Sequence, residues 1–170
     1  MTFEEIRKDI KARKYKPIYF LCGEEPFFID RLTALLENTV LTEDEKAFNQ
    51  TVLYGNDVSM STIRRFPMMS ERQVVIVREA QNIRDFDNLL PYIDHYQNST
   101  ILVLAYKNKK PDKRKGVFKK LGNTPHCIYF ESAKLYDNKI PEWIIGYVKK
   151  NHMESRLKQP VSWPKAWEPI

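Results

Sequence analysis

Apolar residues along this chain fall into two kinds of run that take turns. Thr2 and Glu5 have the spacing of a capping box, and Phe3, Ile6 and Ile10 follow at helical spacing, so the chain opens with a short amphipathic helix. The continuous apolar run at 17–22 is a first strand. Pro26 suits the first turn of a second helix, whose apolar face Phe28, Leu32, Leu35 and Leu36 recurs at i, i+4, i+7 and i+8. After the acidic Glu43, Asp44 and Glu45, residues 48–54 read as a second strand, closed by Gly55 and Asn56. Ser59 or Ser61 starts a short helix ending near Phe66 and Pro67, and a third strand runs from Gln73 to Val77. Phe86, Leu89, Leu90 and Ile93 form a helical stripe interrupted by Pro91. Residues 101–105 are a fourth, wholly apolar strand, a basic helix covers roughly 112–121, and residues 127–130 make a fifth strand. Strands apolar on both faces, alternating with helices, predict an α/β fold: a parallel sheet covered on both sides. Beyond it, Pro141 with Ile140, Trp143, Ile144, Tyr147 and Val148 marks one more helix.

Two motifs in this frame are broken. Gly23, Glu24, Glu25 and Pro26 stand where a phosphate-binding loop belongs, after the first strand and opening a helix, yet no Gly-Lys-Ser/Thr follows. Such a loop holds phosphates with backbone N–H groups, a lysine and a hydroxyl on magnesium, and here glutamates would face them. The strand at 74–77 would end, in an ATPase, in an acid that organises the metal, but it ends in Arg78 and Glu79. The pattern predicts an ATPase-type scaffold without hydrolysis, retained for partners. Glu24, Glu25 and Asp30 cluster nearby, but helix N-termini attract acids for dipole reasons alone, and no catalytic site is expected.

Composition narrows this further. A length of 170 residues with 42% hydrophobic content supports one domain and the start of another. Cys22 and Cys127 both lie in apolar runs, which favours buried reduced thiols and a cytoplasmic setting. No apolar run is long enough for a membrane span, the start is acidic and unlike a signal peptide, and His95, His126 and His152 are scattered without metal-ligand spacing. No cofactor and no metal are expected. The net charge of +6 suits an acidic partner or nearby nucleic acid.

The segments Tyr19–Asp30, Phe66–Ala80 and Thr100–Leu104, taken in that order, strongly resemble the delta subunit family of bacterial DNA polymerase III. The resemblance covers about residues 1–150, and family members are about twice as long, which implies an N-terminal part. It implies an AAA+ type domain with a degenerate nucleotide site over 1–135, the start of a small helical lid over 136–153, and a tail, 154–170, whose status stays open between an ordered extension, a linker and a foreign piece. The family's C-terminal collar would be absent. The resemblance also implies a non-catalytic subunit of a DNA-directed DNA polymerase (nucleotidyltransferase) holoenzyme, which binds the ring-shaped sliding clamp (beta subunit) and helps open it. Other subunits would supply ATP binding and hydrolysis, the clamp-loader subunits gamma/tau and delta prime are expected partners, and DNA would be met through the assembled complex.

In the family the clamp contact is a pair of adjacent large apolar residues before a Ser-x-Arg-Gln element, and the matching positions are Met68 and Met69, with Phe66, Pro67 and Arg72 in support. Two unbranched, polarisable side chains suit an irregular apolar cleft, each worth about 1.5–3 kcal/mol on full burial. Pro67 restricts the segment and lowers its ordering cost, while Ser70, Glu71 and Arg72 would tune orientation from the rim. The alternative is that one or both methionines pack beneath their own helix. Lys109, Lys110, Lys113, Arg114 and Lys115 belong to a basic run over 107–120, holding only Asp112 as an acid, that would contact DNA or simply be a solvated face. Phe118 is the sole aromatic there for base stacking. Two other readings stay open: an active nucleotide-binding enzyme of the P-loop type, and a basic nucleic-acid adaptor.

Overall fold

A computed structural model describes residues 2–132, which lie within one compact unit, Met1–Lys134. The expected lid start at 136–153, with its helix, and the tail at 154–170 lie outside the described residues. Five parallel strands form one sheet in the order β2-β3-β4-β1-β5: β1 Ile18–Gly23, β2 Gln50–Tyr54, β3 Gln73–Arg78, β4 Thr100–Lys107 and β5 Cys127–Ser132. Central β1 and β4 are apolar on both faces because both faces are covered.

Alternate residues of these strands go to opposite layers, as the two-residue strand period requires. Tyr19, Leu21, Val74, Ile76, Ile101 and Val103 meet α1 (Phe3–Lys11) and α2 (Pro26–Thr39), which contribute Ile6, Ile10, Ile29, Leu32 and Leu36. Ile18, Phe20, Val75, Val77, Leu102 and Leu104 face the other layer. That layer contains Ile63 of α4 (Met60–Ile63), Tyr92 and Ile93 of α5 (Leu90–Asp94), and Val117, Phe118 and Leu121 of α6 (Gly116–Asn123). The Thr2–Glu5 capping box forms reciprocally.

Three expectations need correction. The second strand starts at Gln50, because Thr42 and Glu45 form a second capping box that opens α3 (Glu43–Asn49) and carries Phe48 and Asn49 into the helix. The helix capped by Ser59 stops at Ile63, three residues short of Phe66. The basic helix runs over 116–123 rather than 112–121, since Asp112 uses its carboxylate to cap a turn, accepting the Arg114 backbone N–H at 3.0 Å. The interruption at Pro91 is real: the stripe from Phe86 begins with a 3-10 turn, Phe86–Leu89, and the α-helix starts later, with Pro91 in its first turn.

The core holds acidic protons tightly. Burial pushes the Cys22 thiol and the Tyr19 phenol up to about 12, and the Cys22 Sγ–H donates to the Phe130 carbonyl at 3.4 Å. Both groups keep protons in the folded chain that the unfolded chain releases from about pH 9 or 10 upward. Stability is therefore full below pH 9 and falls as pH rises toward 12, by up to about 1.4 kcal/mol per pH unit for each such group. Urea titrations between pH 8 and 11 check this. A midpoint that stays constant over that range contradicts it.

Candidate functional site

The segment between α4 and β3 is held firmly at its base and left bare at its tip. Asn49, 3% exposed at the end of α3, brackets the backbone of Met68: its Oδ1 accepts the Met68 N–H at 2.5 Å and its Nδ2 donates to the Met68 carbonyl at 2.8 Å. Buried Gln73, the first residue of β3, aims its Nε2 at the carbonyls of Ile63 (3.2 Å) and Arg65 and at Thr100 Oγ1 (2.7 Å). Gln97 Nε2 also donates to the Arg65 carbonyl, at 2.7 Å. The orphan carbonyls after α4 are thereby satisfied and the departing chain is fixed. Ser70 Oγ accepts the Arg72 N–H and donates to the Arg72 carbonyl, closing the far side.

Between these anchors the side chains point outward. Met69 is 100% exposed, Met68 61% and Phe66 77%, while Pro67 is half-buried. Met69 takes a φ of +55°, a left-handed conformation that costs an L-residue about 1–2 kcal/mol. A strained, fully exposed thioether gains nothing from its own fold, and such outliers concentrate where a segment meets a ligand. Beside it lies a groove of ≈ 480 Å³ lined by Val40, Leu41, Glu45, Arg13 and Arg72. The Arg72 guanidinium lies over the Tyr15 ring, 5.2 Å from its centroid, so it is held by the body of the domain rather than free at the rim.

Asn49→Ala leaves the Met68 N–H and carbonyl without partners. The expected cost is about 1–3 kcal/mol of stability, with faster amide exchange confined to residues 66–70. Hydrogen-exchange mass spectrometry of that peptide is the check.

At the opposite, C-terminal end of the strands, the residues of the expected nucleotide site are engaged with their own neighbours. Only Glu24 and Glu25 separate β1 from α2, too short a link to wrap a phosphate. Pro26 brings no N–H to the first turn, and the Glu25 side chain accepts the Phe27 N–H at 3.2 Å. Gly23 has a φ of +130°, and a Cβ there would sit 2.2 Å from the Ser132 carbonyl oxygen. Arg78 pairs with Glu37 of α2 at 3.0 Å. Lys107, the cation at the end of β4, is divided between Asp30 (3.1 Å) and Glu79 (3.7 Å), and Gln81 ties Glu79 to the Lys107 backbone. Among the described residues no group of three or more His, Cys, Asp or Glu side chains is placed to hold a metal ion, and no helix is long and apolar enough to cross a membrane.

The basic run is divided. Lys113 pairs with Glu131 at 3.2 Å, Arg114 forks onto Asp112, whose carboxyl it holds below the usual range, and Lys120 pairs with Asp94. Lys109, Lys110 and Lys115 are exposed with no acid partner among the described residues. Phe118 is not a stacking platform: it is buried against Phe86 and Phe20, with ring centroids 4.9 and 5.7 Å away.

Sequence reasoning missed Asn49, because its bracket joins positions 19 apart in sequence. Thr42 and Glu45, three residues apart before a helical stretch, were the available signal for the helix that positions it.

Residues 19–131 match the family model described as DNA polymerase III, delta subunit. A curated relative, DNA polymerase III subunit delta of Bacillus subtilis (strain 168), is 24% identical over 163 residues, covering 88% of this chain and 46% of the relative. The solved Bacillus subtilis DNA clamp loader delta protein superimposes with a TM-score of 0.74 at 24% identity, over 88% of this chain and 48% of its own. A DNA polymerase III gamma subunit-related protein from Thermotoga maritima gives a TM-score of 0.52 at 13% identity, over 83% of this chain and 48% of its own. These two likenesses establish the fold, a parallel sheet of the clamp-loader type flanked by helices. The chain spans about half the length of the relatives it matches. With the family model covering well over half of its 170 residues, the chain belongs to the DNA polymerase III delta subunit family.

Proposed function

We propose that this chain is the clamp-engaging part of a clamp-loader delta subunit, which grips the sliding clamp through Met68 and Met69 and hydrolyses no ATP itself. The observation that carries this reading is the bare methionine tip on an anchored base: 100% and 61% exposure over a segment fastened by Asn49 and Gln73. Anchoring matters energetically, because a segment already ordered in the free protein loses little entropy on binding, so more of its burial shows up as affinity. Methionine adapts to an irregular apolar cleft better than a branched side chain does. Phe66 enlarges the apolar surface from the same tip, and Arg72, held over Tyr15, presents a charge at its margin.

The engaged residues at the C-terminal end of the strands support the division of labour. A Walker-type site needs a run of free backbone N–H groups and an uncommitted lysine. Here the turn is two residues long, the first helical residue is a proline, and Lys107 is neutralised by Asp30 and Glu79. Gamma/tau and delta prime subunits are then its partners, hydrolysis comes from other subunits of the loader, and the protein works in the cytoplasm, where the replication machinery operates. Isothermal titration with Mg-ATP is expected to give no saturable heat at millimolar nucleotide, whereas the clamp titrates normally. Saturable ATP binding by the folded wild-type chain would favour an active nucleotide enzyme instead.

Within the basic run Lys109, Lys110, Lys115 and Lys119 make no ion pair among the described residues and can each meet one phosphate. At a slope of about 0.9 per neutralised phosphate this is a weak, sequence-blind attraction that serves DNA held by the assembled loader rather than by this chain alone.

A further inference from the structure

We infer that the end of the sheet carrying the methionine tip also holds a second, cationic subsite, which receives an acidic segment of the same partner. The inference rests on the clamp reading for its occupant and, for its chemistry, on Arg72 together with residues outside the methionine tip. All five strands are parallel, so the residues that enter them gather at one end. Tyr15 and Lys16 precede β1, Arg72 precedes β3, Asn98 precedes β4 and His126 precedes β5. Together with Tyr96 they line a cleft of ≈ 420 Å³.

Among the described residues no carboxylate lines this cleft. Lys16 and Arg72 make no ion pair among the described residues, in a domain where Lys107, Lys113, Arg114 and Lys120 all find internal acids. The walls are stiff. Arg72 lies over Tyr15 at 5.2 Å, and Tyr96 stacks on His126 with centroids 4.0 Å apart. Tyr15 is itself tethered through its hydroxyl to the Thr39 carbonyl at 3.3 Å. A planar guanidinium with free donors, fixed on a ring, is suited to a carboxylate, which it can meet through two parallel hydrogen bonds. Arg72 also lines the groove beside Met69, so cleft and tip are continuous on one surface. Continuity with the tip, and a lining that has cations but no acid, together favour an acidic stretch of the clamp over a separate ligand.

The test uses the whole chain with Lys16→Glu and Asn98→Asp, two exposed positions whose side chains carry no core packing. Binding to the sliding clamp is measured by surface plasmon resonance at 50 mM and 500 mM salt, beside the Met68→Ala/Met69→Ala variant. The charge variant is expected to bind about tenfold more weakly at low salt, chiefly through slower association, and to approach wild type at high salt, where screening removes the difference. The methionine variant is expected to stay weak at both salts. Unchanged low-salt binding by the charge variant overturns the subsite while leaving the methionine contact intact. Full binding by the methionine variant overturns the clamp contact on its own. A charge variant that keeps clamp affinity but loses binding to a duplex oligonucleotide assigns the cleft to nucleic acid and overturns the inference. Coincident thermal melts for all three proteins confirm that folding is unaffected.

Discussion

Replacing Met68 and Met69 together by alanine is expected to weaken sliding-clamp binding by about 10²- to 10⁴-fold, from roughly 1.5–3 kcal/mol per buried side chain at about 1.4 kcal/mol per decade. The fold should not notice. Met69 is fully exposed and Met68 largely so, and surface truncations of this kind shift stability by about 0.5 kcal/mol or less. The separation between a large binding loss and an unchanged melt identifies a contact residue, and it distinguishes these positions from Asn49. Truncating Asn49 lowers stability and binding together, because it releases the Met68 backbone from both hydrogen bonds. Clamp titration calorimetry and urea denaturation of the two variants, side by side, give the comparison. Equal stability losses for both would place the methionines in the fold rather than at an interface.

The second large effect lies at the other end of the sheet. Gly23→Ala is expected to destabilise the domain by about 3–5 kcal/mol, enough to abolish folding of a marginal domain. Two costs add there. A φ of +130° is open to glycine and strained for any residue with a Cβ, and that Cβ would lie 2.2 Å from the Ser132 oxygen and 2.7 Å from its nitrogen. Both obstacles are backbone atoms at the end of β5, so relief requires moving the strand. Gly116 is the control: it opens α6 without a positive φ, and a Cβ there meets nothing within 4 Å. Gly116→Ala should stabilise the domain by about 0.4–1 kcal/mol through the unfolded chain. The contrast tests whether the strand-to-helix turn is closed by close packing of β1 on β5, which would leave no path back to a phosphate cradle.

The sheet was legible in the sequence where burial is two-sided. β1, β3 and β4 are runs of apolar residues with no competing pattern, and all three lie within a residue or two of expectation. β2 was started two residues early because it is an edge strand, half-exposed or exposed along its length, with a helix running directly into it. In such a segment Phe48 reads equally well as strand or helix, and only the Thr42–Glu45 capping pair decides. The methionine doublet was visible through family resemblance, not through periodicity, since adjacent apolar residues after a proline have no period to read. What stayed hidden was the apparatus beneath it. Asn49 and Gln73 act through backbone carbonyls and amides, whose positions no side-chain pattern records. The same holds at the C-terminal end of the strands: the missing lysine was plain in the sequence, but the pairing of Lys107 with Asp30, 77 positions away, required the fold.

The account comes down to which surface touches the ring. A photo-crosslinking amino acid placed at position 69 of the whole chain, with a matched probe at the exposed Lys119 of α6, answers this directly. On mixing with the sliding clamp and irradiation, position 69 is expected to crosslink to an apolar cleft of the clamp, mapped by mass spectrometry, while position 119 yields none. Crosslinking from position 119 with none from position 69 would contradict the account.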